Sequence, residues 1–202
     1  MDNNSLFKIS YGLYVVTSKE GEKDNGCIIN TVMQVTSNPL MLAIAVNKAN
    51  CTTCMIHNTK KFNISVLSEK SKPEIFKHFG FQSGNNVNKF AEFNNVKRTP
   101  NGLLYLTENT NAYFCCYVKE EIDLGSHYLF IAHITDSEVL SDEQTVTYAY
   151  YQKNIKPSFS TQKKQSGWIC KICGYVYEGE TLPEDFVCPI CKHGAIDFEK
   201  LV

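Results

Sequence analysis

The sequence predicts a mainly β protein: a barrel of short strands with one or two helical excursions, followed by a small metal-binding domain. Three observations carry this. Apolar, β-branched and aromatic segments recur at hairpin spacing between turn signals through the first 150 or so residues. Two C-x-x-C pairs, Cys170/Cys173 and Cys188/Cys191, close the chain's last stretch. Between these regions runs KPSFSTQKKQSG (156–167), polar and punctuated by Pro157 and Gly167, which reads as a linker. With 202 residues there is room for one ordinary domain and a satellite too small to hold an apolar core unaided. The expected division is 1–155, a linker at 156–167, and 168–202.

The elements follow in order. KISYGLYVVT (8–17) reads as a strand that stops at SKEGEKDNG, where Asn25-Gly26 is a hairpin turn signal. CIINTVMQVTS (27–37), then MLAIAVNK (41–48) after Asn38-Pro39, give two further strands, and FNISVLS (62–68) another. Thr52 to His57 suits a short helix. In SKPEIFKHF (71–79), Ser71 and Glu74 form an S-x-x-E capping box with Pro73 in the first turn, and the helix is expected to end by Gly80. Beyond the irregular FGFQSGNNVNKF (79–90), strands are expected near 103–106, 112–122 and 128–140, the last two joined by a turn at Asp123 to Ser126. TVTYAYYQKN (145–154) closes the first domain.

Composition excludes several classes. Lysine plus arginine number 20 against 21 acidic residues, a net charge of −1, so nothing electrostatic favours nucleic acid. The start MDNNSLFKIS lacks a basic, apolar leader, and no apolar run approaches the roughly 20 residues that span a bilayer. The expectation is a cytoplasmic protein without membrane contact. Nine cysteines is an odd number, and four of them stand in metal-type spacing, which favours reduced thiols over a disulfide scaffold.

The paired cysteines are the strongest signal. In each C-x-x-C turn two sulfurs converge on one ion, and two turns facing each other complete a tetrahedral S₄ site with Cys170, Cys173, Cys188 and Cys191 as ligands. Iron and zinc both accept that site, so spacing does not choose between them. Gly174 offers the positive φ that points N–H groups at sulfur, and Trp168, Tyr175, Tyr177 and Phe186 can shield the site from water. CGYVYEG followed by CPIC resembles rubredoxin, in the shortened form attached to larger redox proteins such as rubrerythrin. That resemblance implies one iron.

In the first domain neither G-x-G-x-x-G nor G-x-x-x-x-G-K-[ST] occurs, so no Rossmann or P-loop nucleotide site is supported. Four segments, NTVMQVTSNPL (30–40), VNKANCTT (46–53), FGFQSGNNVNKF (79–90) and GSHYLFIAHI (125–134), resemble in order the flavin reductase-like family, from about Lys8 to Tyr151. The family implies an FMN-binding split β-barrel. On these segments the expected cofactor-binding residues are Asn30, Thr31, Gln34, Val35, Thr36, Ser37, Asn47, Lys48, Asn50, Thr52, Ser83, Lys89 and His127. Thr31, Thr36, Ser37 and the backbone near Gln34 suit the polar edge of the flavin ring. Asn50, Thr52, Lys89 and a helix start near Thr52 suit the ribityl chain and phosphate. By the resemblance, His127 stands beside the ring and the incoming nicotinamide as the catalytic residue. Cys27, Cys51, Cys54, Cys115 and Cys116 read as structural.

Together the resemblances imply an oxidoreductase that takes electrons from NAD(P)H, directly or through a separate NAD(P)H-dependent reductase. It would pass them through FMN and a one-iron Cys₄ centre to a redox partner such as a flavodiiron protein that reduces oxygen or nitric oxide. The family also implies a homodimer, and the polar linker implies two tethered modules without a fixed interface. Two other readings stand: a flavin reductase docked by a zinc ribbon, or a rubredoxin on a structural dimerisation scaffold.

Overall fold

The computed structural model describes residues 5, 8–156, 167–171, 175–189 and 194–201. It opens on a hairpin in which β1 (Tyr14–Glu20) pairs antiparallel with β2 (Lys23–Ile29), Tyr14 opposite Ile29 and Glu20 opposite Lys23. The hairpin was expected, but its turn falls at Gly21-Glu22, with Gly21 at φ 56°. Asn25 and Gly26 instead sit inside β2, opposite Ser18 and Thr17. A turn at Asn25-Gly26 would strip Thr17 to Glu20 of their ladder partners, and Gly21 supplies the left-handed conformation without that loss.

Next come β3 (Val32–Ser37), β4 (Leu40–Asn47), α1 (Cys51–Thr59) and β5 (Lys61–Leu67). After α2 (Pro73–Gly80) follow the short pair β6 (Val96–Arg98) and β7 (Leu104–Leu106), then the long β8 (Thr110–Asp123) and β9 (His127–Val139). The first domain ends in α3 (Tyr148–Tyr150), which runs into a π-helical turn, Tyr151–Ile155. Helix α2 keeps its expected length, but the capping box does not form. Lys72 occupies the N-cap without a side-chain bond, and Ser71 Oγ donates to Asn109 O at 2.7 Å, drawn off by the loop beneath it.

Seven strands form one antiparallel sheet in the order β2-β1-β5-β8-β9-β4-β3. Strands β2 and β3 are therefore its two opposite edges, yet only Asn30 and Thr31 separate them in sequence. Three Cα steps span at most roughly 11 Å, so the sheet must curl until its edges nearly meet. This is the split barrel, and Asn30-Thr31 is its seam. Thr31 ties the seam to β4: its O accepts from Ala45 N at 3.3 Å and its Oγ1 donates to Ala45 O at 2.6 Å.

Curling gives the sheet two cores. Val16, Ile44, Ile56, Phe62, Ile64 and Phe130 fill the barrel interior under α1, all with no exposed surface. Val15, Leu67, Phe76, Phe79, Leu106 and Val146 form a second cluster under α2. The neighbours Val15 and Val16 thus serve opposite faces of β1, which is why this strand reads as an unbroken apolar run. No helix among the described residues is long and apolar enough to cross a membrane.

The C-terminal region holds a small sheet ordered β11-β10-β12, from β10 (Gly167–Cys170), β11 (Val176–Tyr177) and β12 (Phe198–Leu201). Among the described residues its buried apolar cluster has three members, Cys170, Cys188 and Phe198. Most of the expected linker, 157–166, lies outside the described residues.

Candidate functional site

A cavity of about 270 Å³ opens at the barrel seam. Its lining combines apolar side chains, Leu13, Ile29, Phe76 and Phe79, with polar ones, Asn25, Asn30, Thr31, Asn47, Asn50, Thr52, Lys89 and His127. Such a mixed lining suits a flat apolar ring with a polar, anionic tail.

The N-terminus of α1 forms one end. Asn47 builds the loop before it: Asn47 O accepts from Asn50 N at 3.0 Å and from Thr53 Oγ1 at 2.7 Å, and Asn47 Oδ1 accepts from Ala49 N at 2.9 Å. Asn50 then occupies the N-cap with extended backbone (φ −78°, ψ 131°) and no side-chain cap bond. Asn50, Cys51 and Thr52 all line the cavity, so an uncapped helix start with its positive dipole end is presented there.

Lys89 is no solvated surface charge. It is 2 % exposed, and its Nζ donates to Gly26 O at 2.8 Å and Phe79 O at 3.0 Å. Two of three ammonium protons thus bind β2 to the end of α2, and the third remains for the cavity that Lys89 lines. Burial pulls its pKa below the ordinary lysine value, and the nearby Cys27 and Cys51 thiols partly restore it. The same burial pushes the Cys27 thiol up, so Cys27 is an inert wall.

Asn25 is 2 % exposed and its Nδ2 donates to Thr52 Oγ1 at 3.1 Å, while its Oδ1 is buried without a partner. A side chain at Gly84 would collide with the Asn25 carboxamide, so glycine leaves this wall open. A buried, unanswered acceptor is costly in an empty protein and is satisfied by a ligand hydroxyl or N–H. His127 begins β9 opposite Asn47, with Nδ1 2.9 Å from Ser126 Oγ.

The cavity brings together Asn30, Thr31, Asn47, Asn50, Thr52, Ser83, Lys89 and His127 of the expected set. Gln34, Val35, Thr36, Ser37 and Lys48 do not line it. The first four lie on edge strand β3, where Gln34, Val35 and Ser37 are exposed and Thr36 is half-buried. Lys48 turns to the outer surface, where it pairs with Asp123 at 2.5 Å and lies 4.6 Å above the Tyr128 ring. Sequence reasoning missed Asn25, Phe79, Phe81 and Tyr148. Asn25 stands in the polar stretch SKEGEKDNG, whose Asn-Gly pair reads locally as a turn, so no local signal marks it as a strand residue facing the cavity.

In the C-terminal region Cys170 is 1 % exposed and Cys188 fully buried. Cys170 N donates to Tyr175 O at 2.8 Å, which holds the first turn of the pair. Tyr177 tilts against Phe186 and Phe198 meets it edge-on, at 4.6 and 5.3 Å between ring centres, and Trp168, Tyr175, Tyr177 and Phe186 pack against the cluster of Cys170, Cys188 and Phe198. Cys173, Gly174 and Cys191 lie outside the described residues. Two buried thiols in an aromatic jacket fit one thiolate-bound metal, since aromatic walls exclude water from the ligand sphere.

The flavin reductase like domain family matches residues 6–158, and the rubrerythrin, rubredoxin-like domain family matches residues 168–199. The chain is 35 % identical to the high molecular weight rubredoxin of Moorella thermoacetica over 230 aligned positions, covering all of both chains. It is 37 % identical to a ferric-chelate reductase (NAD(P)H) of Archaeoglobus fulgidus over 151 residues, covering 75 % of this chain and 89 % of that one. Among solved structures, flavoredoxin from Methanosarcina acetivorans shares the fold with a TM-score of 0.62 at 21 % identity, over 69 % of this chain and 74 % of that one. These matches make the chain an oxidoreductase of flavin-linked electron transfer. By its full-length likeness and its order of a flavin reductase-like domain before a rubredoxin-like one, the chain belongs to the high molecular weight rubredoxin family.

Proposed function

We propose that this protein carries electrons from NAD(P)H, directly or through a separate NAD(P)H-dependent reductase, to a redox protein such as a flavodiiron reductase of oxygen or nitric oxide. The observation that carries the reading is the pairing, on one chain, of the seam cavity with its mixed apolar and polar lining and the buried Cys170/Cys188 cluster. The cofactors are FMN in the barrel and one iron in the C-terminal domain. FMN accepts a hydride as two electrons and releases them singly, and an iron under four thiolates carries one.

The chain's own residues do the rest. The α1 start, with Asn50 and Thr52, receives the phosphate, and Lys89 adds a charge that is already desolvated and held in place. Asn25 Oδ1 and Thr31 meet polar edges of the ligand, while Phe76, Phe79 and Ile29 exclude water from its ring. His127, fixed against Ser126, orients the nicotinamide at the ring. Cys170, Cys173, Cys188 and Cys191 hold the iron.

A homodimer through β3 belongs to the same reading. Met33 and Val35 on that edge and Leu40 at the start of β4 are 64, 43 and 42 % exposed, and a second copy covering them would also bring Gln34 to Ser37 toward a flavin. On the C-terminal domain, exposed Glu178, Glu180, Glu184 and Asp185 form a face for a basic partner. Anaerobic titration tests the proposal: NADH or NADPH, with or without a separate reductase, should bleach the flavin band and then the thiolate-to-iron band of the purified protein. One equivalent of zinc with no thiolate-to-iron absorption, after growth on ample iron, overturns it.

A further inference from the structure

We infer that the rubredoxin-like domain is docked on the mouth of the seam cavity, with Phe81 as the side chain shared by both. The inference rests on the electron-carrier reading above and replaces its loose tether with a fixed contact.

Phe81 lines the seam cavity, and it also packs against the cluster of Cys170, Cys188 and Phe198. Its backbone is held: Phe81 N donates to Lys77 O at 3.0 Å, the last bond of α2, so the ring is placed by a helix and not by a free loop. A second contact lies on other elements. Lys156 Nζ, at the end of the first domain, donates to Lys171 O at 2.7 Å, and Lys171 directly follows the buried Cys170. Lys171 also closes a further cavity against Tyr11, Thr147, Tyr148 and Gln152. Tyr148 lines both cavities, so the two contacts flank one region of surface.

Two attachments on separate elements fix an orientation, whereas a tether alone sets only a concentration. A half-buried phenyl ring against the cysteine cluster on one side and the cavity on the other fills with packed atoms a gap that water would otherwise occupy. Phe81 is thus a positioning residue. It takes no electron itself: each transfer removes one electron from reduced flavin and converts one ferric ion to ferrous, and the external acceptor empties the iron before the next.

Two measurements on the full-length chain test this. The first is ¹⁵N relaxation with zinc in place of iron. The C-terminal domain should tumble with the barrel in the unaltered chain and faster than it in Phe81→Ala, with Phe81→Leu between. The second is stopped-flow transfer from flavin to iron with FMN at saturation, so that weakened flavin binding is not read as slowed transfer. The rate should fall at least tenfold in Phe81→Ala and by less in Lys156→Met. Independent tumbling in the unaltered chain, or a Phe81→Ala protein unchanged in both measurements, overturns the docking. If the domains tumble together but iron is never reduced from flavin, the docking stands and the electron-carrier reading fails.

Discussion

The two domains exclude water from a core by different means. The barrel does it with apolar area: one cluster of 13 buried residues inside the curled sheet and another of nine beneath α2. Among the described residues of the C-terminal domain the cluster has three buried members, two of them cysteines. At about 25 cal/mol per Å² of apolar surface, a cluster that small contributes far less than the barrel's two, and a domain of about 35 residues ordinarily needs a metal or disulfides besides. The difference leads us to expect a barrel that folds around its cofactor site and a C-terminal domain that folds only with its metal.

Metal loss should therefore give the largest and most local effect. Metal-ligand free energy in small thiolate domains reaches about 10 kcal/mol or more. Cys188→Ser, or removal of iron, should unfold the C-terminal domain and leave the barrel's transition in place. The chain's one tryptophan, Trp168, lies in β10, so its fluorescence follows that domain while far-UV circular dichroism follows mainly the barrel. A single joint transition in the metal-free protein would show that the barrel, too, leans on the metal.

The converse change is next in size. Phe62 and Phe130 are fully buried on β5 and β9, and phenylalanine-to-alanine changes at such sites cost about 3–5 kcal/mol. Phe62→Ala should lower the barrel's urea midpoint and release FMN, with the thiolate-to-iron absorbance intact. Loss of that absorbance in step with the barrel would make the domains one cooperative unit.

How far the sequence carried this comparison depends on the range of each signal. The rubredoxin-like domain was legible because C-x-x-C is local: its geometry is set within four residues. Strands β4, β5, β8 and β9 were legible for the same reason, as was the turn at Asp123 to Ser126, with Gly125 at φ 83°, whereas the one strand expected over 27–37 is broken at Asn30-Thr31 into the end of β2 and β3. The seam was not legible. That β2 and β3 are opposite edges of one sheet follows only from long-range pairing, and with it goes the meaning of Asn30 and Thr31. Asn25 failed because Asn-Gly is a turn signal only where the flanking register allows a turn, and Gly21 had already taken it. The Ser71 capping box failed because Asn109, 38 positions away, offered the hydroxyl a better acceptor.

The cavity wall offers a third, smaller test. Lys89→Met removes a buried charge whose remaining proton faces the cavity, and FMN affinity should fall by about 1.5–3 kcal/mol, the usual range for a charge-assisted hydrogen bond. Two backbone carbonyls lose their donor as well, so the apo-barrel's stability must be measured beside the affinity. Asn25→Leu removes the orphan acceptor and should also weaken FMN, by about 1–3 kcal/mol. Full FMN affinity in both variants would move the cofactor away from this wall, while the iron site should be untouched in either case.

The smallest effect concerns pH and belongs to the barrel alone. Glu121 on β8 accepts from Lys60 Nζ at 2.7 Å and lies 2.6 Å from His57 Nδ1, joining β8 to the C-terminal end of α1. Burial at 14 % side-chain exposure raises its pKa, but the bonds from Lys60 and His57 outweigh this and hold the carboxyl below the ordinary glutamate value. A carboxyl with a depressed folded pKa stabilises the fold above its unfolded pKa, about 4.3, and that contribution is lost as pH falls through the lower folded value. Lys60 and His57 are 49 and 48 % exposed, so screening limits the effect to somewhere under about 1 kcal/mol. Urea unfolding of the unaltered protein and of Glu121→Gln, followed by circular dichroism from pH 7 to 3, isolates it. Glu121→Gln should be the less stable protein at pH 7, and the two curves should converge in acid. The Trp168 signal should show no difference at any pH, because Glu121 makes its bonds within the barrel. A gap that widens on acidification would reverse the sign assigned to this group.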